Sequence, residues 1–549
     1  MRRPAARVKP RLAKLQSFPA PIGGWIKNVN LATPDARLPS GQRVNGASVL
    51  ENWFPTATGI RMRGGSQLHT VTDGSEDITA LFTYVDGNNR SLFAATDSAI
   101  FDVTTATEFA HLVDDLGNHL VDDLGNHIVT GTSVSSIASF GGGNWSVVQF
   151  TTSGGTFLRA VNGVDTPLVY DGAAWGTVPA LTGMTASTLS NVWSYKNRLF
   201  FVEKDTQNAW YLAVDTIGGA LTKFPLGGVF TRGGALLFGA SWSLDSGDGL
   251  DAKCVFFSTE GEVAVYSGTN PGDAAAWALV GVYRIGKPRG PKAFIRAGGD
   301  LVIATDIGFI PLSVAVQRDI AALSPSAISY PIEEAWNDAV RDRSGNWHCE
   351  VWPTKQMAMV APPTPTSTQS LMFVANARTG AWAPFSGWQA TCLALLGDRM
   401  FFGSTDGQVI ECEVTGSDRG SPYTATIVPL FDPLKSPASL KTGLQARSTI
   451  RAPADVTVRL SLQTDFEVSL PAAPDDSSVP SGSVWGTAVW GTSVWGVDVE
   501  KLTFRRWHST PGQGYALSVA AQITSGTASP PDIEYVQTDL TFDVADIGT

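Results

Sequence analysis

Three histidines recur at a fixed spacing in a short duplicated stretch, where a metal site would be sought first. The eight residues HLVDDLGN occupy positions 111–118 and 119–126, and the repeated histidine is His111, His119 and finally His127. On a strand, an eight-residue step returns each side chain to the same face, and imidazoles beside carboxylates suit a divalent cation. The alternative is a duplicated surface hairpin or loop with Leu-Gly-Asn turns. We favour the loop, because ligation here depends on a strand register that spacing alone does not fix.

A second candidate metal-binding stretch carries Asp245, Asp248 and Asp251. Three carboxylates this close suggest a calcium loop. Their spacing lacks the EF-hand alternation, however, and no glutamate closes the loop at the required distance. The stretch therefore predicts a polar connection.

Two other charged groups are candidates for acid–base or anion chemistry. Glu333 and Glu334 follow Pro331 and predict the first turn of a short helix, where acids suit the helix dipole. Adjacent helix residues point apart, so they form a poor general acid and base. The segment 287–292, KPRGPK, suits a phosphate or an acidic partner, but we expect a solvated turn.

The remaining chemistry-bearing residues form no recognisable catalytic motif. The chain has six histidines and lacks GxSxG, HExxH and Walker sequences. The four cysteines are Cys254, Cys349, Cys392 and Cys412. They are scattered without a CxxC pair, which predicts neither a zinc site nor a disulfide framework. We therefore expect small buried thiols, a reducing compartment during assembly, and no enzymatic activity, metal or cofactor.

The elements that would position such residues are hairpins built on one repeated pattern. An apolar run ends in Thr and an acid, and another apolar run follows; Phe and Val favour a pleated strand, and Asp-Gly suits a tight turn. The four clear copies turn at Thr96-Asp97, Thr259-Glu260, Thr305-Asp306 and Thr405-Asp406. Looser hairpins are expected at 157–172, 198–214 and 357–374.

The spacing of these hairpins predicts the fold class. Thr259 and Thr305 are 46 residues apart, and Thr305 and Thr405 are 100 apart. About seven units then fit at a mean near 50 residues, the period of a four-stranded propeller blade. We predict an all-β protein with a β-propeller of about seven blades over residues 78–430. The alternative is a set of unrelated hairpins in two β-sandwiches.

Composition and charge agree with short strands joined by many turns. Charged residues make up 16% of the chain, while glycine (56) and tryptophan (17) are abundant. The formal net charge of −11 gives no basis for binding nucleic acid or an acidic membrane. No apolar run approaches the roughly 18 residues that predict a membrane-spanning helix.

The two ends of the chain differ from the central region. Residues 1–77 are expected to form an extended arm and lead-in, and the first 16 residues carry six basic and no acidic residues. Such an arm suits docking on an acidic partner, a solvated tail or a transit peptide, but not a secretory signal, because no apolar stretch follows. Residues 431–549 alternate apolar and polar side chains and predict a smaller antiparallel β-sandwich with one solvated face.

Within this last region Val-Trp-Gly recurs every five residues and places Trp485, Trp490 and Trp495. An odd period sends successive rings to opposite faces of a flat strand, so a series of turns that anchors each ring separately is predicted. These tryptophans are candidates for contact with a neighbouring subunit or a sugar. Filling the core of the sandwich is the equally weighted alternative.

The segment 52–66, NWFPTATGIRMRGGS, resembles the start of virion tail proteins from short-tailed bacteriophages. In those proteins a β-rich body with propeller-like blades follows. Asn162-Gly163 with Tyr170-Asp171-Gly172 also resembles a segment common among them. The similar members are tail nozzle or tail-tube proteins, which form rings below the portal and adaptor. The resemblance covers the lead-in and the first two units, and it transfers no catalytic residue.

The resemblance implies a structural component of a bacteriophage tail. It would form a homo-oligomeric ring, by resemblance a hexamer, between a tail adaptor or portal-proximal protein and a fibre or spike. Viral DNA would pass through the channel without specific binding, for which an acidic balance is suitable. The protein would be made in the host cytoplasm and reside in the virion tail.

Two other function classes stay open. One is a propeller that binds carbohydrate or protein. The other, weaker one is a propeller glycosidase, which needs two carboxylates at a set separation.

Overall fold

The protein is all-β in the residues that the structure, a computed structural model, describes. These are residues 13–32, 41, 44–72, 76–87, 89–106, 110–111, 129–130, 136–243, 252–364, 370–475 and 501–544. They form two compact units. Unit 1 consists of the described residues within Met1–Gly65, Ala381–Phe385 and Thr415–Thr549, and unit 2 of those within Ser66–Gly380 and Ser386–Val414.

The described part of unit 2 contains seven successive antiparallel sheets of three or four strands, which we number in chain order. Sheet 1 comprises Ala80–Asp86, Asn89–Ala95, Ala99–Asp102 and Ser136–Ser139. Sheet 2 comprises Ser146–Thr152, Gly155–Val161, Leu168–Tyr170 and Trp175–Gly176. Sheet 3 comprises Leu189–Tyr195, Arg198–Glu203, Asn208–Tyr211 and Thr222–Pro225. Sheet 4 comprises Leu236–Trp242, Lys253–Ser258, Glu262–Gly268 and Trp277–Arg284. Sheet 5 comprises Phe294–Ala297, Asp300–Thr305 and Gly308–Pro311. Sheet 6 contains, within this unit, His348–Trp352, Met357–Ala361 and Met372–Asn376, and sheet 7 contains Cys392–Leu396, Arg399–Gly403, Gln408–Thr415 and Gly65–Val71.

Smaller elements complete unit 2. Two short pairs join Ala110–His111 with Val129–Thr130 and Leu181–Thr182 with Gly219–Ala220. The helices are Leu312–Ala315 and Glu333–Asp342, with 3-10 turns at Ala186–Thr188, Ile320–Ala322, Ser324–Ser326 and Tyr330–Ile332. The Glu333–Asp342 helix confirms the helical start predicted at Glu333 and Glu334.

The first strands of these sheets form a closed ring of neighbours, so unit 2 is a β-propeller. Each first strand contacts the first strand of the next sheet, and between sheets 4 and 5 the contact is a stack of Phe238 on Phe294, with centroids 4.9 Å apart. The ring closes where Cys392–Leu396 of sheet 7 contacts Ala80–Asp86 of sheet 1. The number of blades around one axis stays a prediction.

The apolar core of unit 2 lies between the sheets, because the second strand of a sheet is apolar on both faces. In sheet 4, Phe256 packs toward sheet 3 among Trp193 and Phe200. The next residue, Phe257, packs toward sheet 5 in a different cluster. Successive side chains of a strand point to opposite faces, so the continuous apolar runs seen in the sequence are what a doubly covered strand requires.

The predicted hairpins are confirmed, and a buried hydroxyl at each turn explains the repeat. Thr96 and Thr305 reach three residues ahead: Thr96 Oγ1 accepts from the Ala99 N–H at 3.2 Å, and Thr305 Oγ1 donates to the Gly308 carbonyl at 2.8 Å. In the other two copies a serine hydroxyl forms a hydrogen bond with the backbone four residues later in the chain. Ser258 Oγ accepts from the Glu262 N–H at 3.0 Å, and Ser404 Oγ donates to the Gln408 carbonyl at 3.1 Å. The aligned feature is therefore the buried hydroxyl rather than the Thr-acid pair, since Ser258 and Ser404 precede the threonines.

Unit 1 contains two antiparallel sheets and one further short strand. The large sheet comprises Lys14–Pro19, Trp53–Pro55, Ile60–Met62, Lys441–Ala452, Leu502–Arg505, His508–Gly514 and Glu534–Val544. The small sheet comprises Ala47–Glu51, Tyr423–Pro429, Arg459–Thr464 and Leu517–Ser525. Trp382–Phe385 also belongs to this unit, and Val29–Leu31 is a 3-10 turn.

This division differs from the predicted segments 1–77, 78–430 and 431–549. The lead-in is not a separate arm, because Lys14–Pro19 pairs along Glu534–Val544 and Ala47–Glu51 pairs with Tyr423–Pro429. Leu517–Ser525 is buried along its whole length, where one solvated face was expected. Sequence reasoning missed these pairings because they join residues several hundred positions apart.

Replacing Gly239 by alanine should destabilise unit 2. A Cβ at this position would collide with the buried indole ring of Trp193 in the neighbouring sheet, and overpacking a core costs about 1–3 kcal/mol. Gly228→Ala is the matched control, since a Cβ there meets no atom within 4 Å. Chemical denaturation should show a lower transition midpoint for Gly239→Ala alone; equal midpoints for both variants would contradict the packing between sheets.

Candidate functional site

Several predicted site residues lie outside the described residues. These are Trp485, Trp490, Trp495, His119, His127, Asp245, Asp248 and Asp251. The backbone of His111 is described as part of a short strand pair. Their roles stay predictions. Among the described residues no group of three or more His, Cys, Asp or Glu side chains is placed to hold a metal ion.

The basic segment 287–292 is packed into unit 2 and is only partly the solvated turn that we expected. Lys287 is exposed and forms an ion pair with Glu260 at 2.7 Å. Arg289 lies over the Trp347 ring at 5.6 Å and donates to the Arg343 carbonyl at 3.2 Å. The proline and glycine spacing signalled a turn correctly, but it carried no information about what would cover that turn.

Lys292, His348 and Glu350 form what we name the internal ionic cluster. Lys292 lies just before the first strand of sheet 5, and the other two lie on the first strand of sheet 6. The Lys292 ammonium has no hydrogen-bond or ion-pair partner among the described residues, and burial lowers its pKa. The Lys292 carbonyl accepts from the Cys349 N–H at 3.0 Å, which fixes the lysine beside sheet 6.

Burial sets the charge states in this cluster. It raises the pKa of Glu350 to about 7, although the Val351 N–H and the Lys292 charge both act to lower it. Burial, and then the Lys292 charge, hold the pKa of His348 well below its usual value. The neutral His348 Nδ1 accepts from the Leu393 N–H at 2.6 Å, which ties sheet 6 to sheet 7.

A carboxyl group whose pKa lies near neutrality is a recognised feature of acid–base sites. Here the nearby thiols of Cys349 and Cys392 are buried, and burial raises both of their pKa values, so neither is an activated nucleophile. His348 is already used as a hydrogen-bond acceptor. The cluster therefore joins three neighbouring sheets.

One open groove of about 380 Å³ lies in unit 1. Its lining residues are Arg459, Leu460, Ser461, Leu462, Pro471, Ser509, Thr510 and Pro511. No carboxylate, histidine or cysteine lines it. The groove presents serine and threonine hydroxyls without a histidine or carboxylate among its lining residues to act as a base.

The centre of unit 1 is a buried arginine, Arg63, inside the segment 52–66 that carries the phage resemblance. Its side chain is fully buried. The guanidinium donates two hydrogen bonds to the Asp418 carboxylate, from Nη1 to Oδ1 at 3.0 Å and from Nη2 to Oδ2 at 2.6 Å. Nε donates to Asn52 Oδ1 at 2.8 Å. Such two-point pairing exploits the planar arginine fork, which lysine cannot reproduce.

Aromatic rings and a strained backbone position complete this Arg63 cluster. The guanidinium lies 3.9 Å from the Tyr423 ring centroid and 5.7 Å from that of Phe385, and the Tyr423 hydroxyl donates to the Arg63 carbonyl. Asn52 adopts a φ of 59°, a left-handed conformation that asparagine tolerates better than most residues. Its side-chain amide donates to the Thr424 carbonyl at 2.8 Å. Nothing in the sequence marked Arg63 as buried, since arginine is usually exposed.

Comparisons with known proteins do not assign the chain to a family. No protein-family model and no curated protein matches the chain. Solved structures with partial similarity include the computationally designed Ika8 protein, at 13% identity and a TM-score of 0.34, covering 63% of this chain and 100% of that one. BBS1N in complex with ARL6DN is 9% identical with a TM-score of 0.36, and the match covers 64% of this chain and 97% of that one. U3-55K is 10% identical with a TM-score of 0.34, and the match covers 63% of this chain and 98% of that one. TM-scores this low support no inference about function.

Removing the Arg63 side chain should strongly destabilise unit 1. Arg63→Ala leaves the Asp418 carboxylate without its partner in a largely buried position, and breaking a buried pair costs about 3–5 kcal/mol. Arg451→Ala is the matched control, because its 3.0 Å pair with Glu534 is exposed and such pairs contribute at most about 1 kcal/mol. Thermal unfolding should separate the two variants clearly; similar melting temperatures would refute the importance of the Arg63 cluster.

Glu350 should make stability depend on pH. Its folded pKa is about 7, above the ordinary value of 4.5, so the folded protein holds this proton more tightly than the unfolded chain. The contribution is fully present below about pH 4.5 and is lost as the pH rises through about 7. Glu350→Gln should therefore unfold at a higher temperature than the wild type above about pH 8, with the difference shrinking toward about pH 5. A pH-independent difference would show that the carboxyl group titrates normally.

Proposed function

We propose that this protein is a structural subunit of a bacteriophage tail, of the nozzle or tail-tube type, and not an enzyme. Copies assemble into a homo-oligomeric ring, a hexamer by resemblance, that contacts a tail adaptor or portal-proximal protein and carries a fibre or spike. Viral DNA passes through the channel without specific binding. The protein is made in the host cytoplasm and acts in the virion tail.

The observation that carries this proposal is the position of the segment 52–66. The residues on which the resemblance rests are central to unit 1, where Arg63 binds the Asp418 carboxylate and Asn52 donates to the Thr424 carbonyl. A segment with this role is under structural constraint and contributes no reacting group. That is what a resemblance to structural tail proteins requires.

The chemistry of the described residues supports the same conclusion. Arg63 and His348 are buried ionisable groups that hold backbone groups in place, since Arg63 donates to the Gly64 carbonyl and His348 accepts from the Leu393 N–H. The net charge of −11 suits a channel wall that repels a polyanion and so prevents it from adhering. Within the described residues no helix is long and apolar enough to cross a membrane.

The ring is tested by the mass of the purified protein alone and with tail partners. Native mass spectrometry should give a species of six times the chain mass, and electron microscopy should show a ring with a central opening. The electrostatic potential of the assembled bore should be negative, and a basic bore would overturn the DNA-conduit role. A stable monomer that binds sugars would overturn the proposal in favour of a propeller lectin.

A further inference from the structure

Two arginines among the described residues are fully buried, and they differ in how their charge is offset. Arg63 donates two hydrogen bonds to the Asp418 carboxylate. The other arginine is Arg159, on the strand Gly155–Val161 of sheet 2. No carboxylate among the described residues binds its guanidinium. The charge of Arg159 therefore needs an explanation that the charge of Arg63 does not.

The side chain of Arg159 lies in the apolar interface between sheets 2 and 3. Side chains two positions apart on a strand share a face, and the neighbours of Arg159 on its face are Phe157 and Val161, which pack in the cluster that joins these two sheets. The residues opposite Arg159 on the adjoining strands are Val148 and Val169. The arginine thus occupies a position where its surroundings would suit an apolar side chain.

The Arg159 guanidinium has five N–H groups and forms one hydrogen bond with the described residues. Nη1 donates to the Pro179 carbonyl at 3.3 Å, whereas Nε and Nη2 are buried and have no acceptor there. Burial lowers the pKa of Arg159 to about 10, so the group keeps its charge at pH 7. A buried charge without a partner is strongly unfavourable, which indicates that a partner comes from outside the described residues.

The two N–H groups without an acceptor point to an anion. Nε and Nη2 form one edge of the planar guanidinium, and that edge is the fork with which arginine binds an anion through two hydrogen bonds. The third nitrogen is bonded to Pro179, which belongs to the exposed residues 177–180. This exposed loop gives a small solute a route to the fork. A protein side chain has no such route, because Arg159 presents no surface to a partner.

We propose that Arg159 binds a small inorganic anion of about the size of chloride between sheets 2 and 3. The anion accepts from Nε and Nη2 and offsets the guanidinium charge, as Asp418 does for Arg63. It enters and leaves by displacement of the loop 177–180. The site lies within one copy of the chain, so it is independent of the proposed ring.

The first experiment follows the thermal unfolding of the full chain while sodium chloride replaces sodium gluconate at constant ionic strength. Gluconate is too large for a fully buried site. The melting temperature of the wild type should rise by a few degrees with chloride. The rise should follow the logarithm of the chloride concentration, because the anion binds the folded state only.

The variant Arg159→Met separates this site from a general salt effect. Its melting temperature should not depend on chloride, and in gluconate it should equal or exceed that of the wild type, because replacing an unpaired buried charge by an apolar side chain is neutral or stabilising. Arg296→Met is the matched control, since Arg296 is exposed on the first strand of sheet 5. It should keep the chloride dependence of the wild type.

The second experiment needs no variant and therefore decides the question even if Arg159→Met does not fold. Crystals of the full wild-type chain grown in sodium bromide should show anomalous scattering from a bromide ion beside Nε and Nη2 of Arg159. A carboxylate of the chain in that place would overturn the inference, because the protein would then supply its own counter-ion.

Three further results would also refute the anion site. These are equal melting curves of the wild type in chloride and gluconate, a chloride dependence that Arg159→Met retains, and no bromide at the guanidinium. A six-fold ring formed by a protein that binds no bromide at Arg159 would support the proposed function while refuting this inference.

Discussion

The need to cover both faces of every sheet governs unit 2. Phe256 and Phe257 are adjacent, both fully buried, and belong to clusters on opposite sides of one sheet. A sheet of this kind exposes a large apolar face unless it has a neighbour on each side, and a linear stack would leave its two end sheets half covered. A closed ring has no end sheets. Closure is therefore the arrangement that satisfies the burial requirement of all the sheets together.

Closure depends on a strand that comes from far away in the sequence. Gly65–Val71 completes sheet 7, whose other strands lie beyond residue 391. Thr72 reinforces the join, because its N–H donates to the Gly407 carbonyl at 2.9 Å, and His69 packs on Phe401 with ring centroids 4.8 Å apart. The entropy cost of closing such a long loop grows only logarithmically with its length, so one strand suffices to complete the ring.

The sequence predicted local structure well and distant structure poorly, for a physical reason. The hairpin of Asp300–Thr305 and Gly308–Pro311 is specified by neighbouring residues, namely an apolar run, a turn and another apolar run. Its pairing can therefore be predicted from the sequence. Pairing of Ala47–Glu51 with Tyr423–Pro429 joins segments several hundred residues apart, which no local pattern encodes. The same applies to Arg63, Lys292 and Glu350, whose burial results from segments that are distant in sequence. Most of the fold class was thus predictable, whereas the buried ionic groups were not.

The late position of the last strands has a consequence for synthesis on the ribosome. Residues 66–71 emerge early, but the strand beside which they belong, Gln408–Thr415, is translated more than 300 residues later. At roughly 5–20 residues per second, the nascent chain keeps its N-terminal strand unpaired for tens of seconds while sheets 1 to 6 form. During that interval this strand and the open face of sheet 1 have no native neighbour, so the speed of translation sets how long both are exposed to other chains.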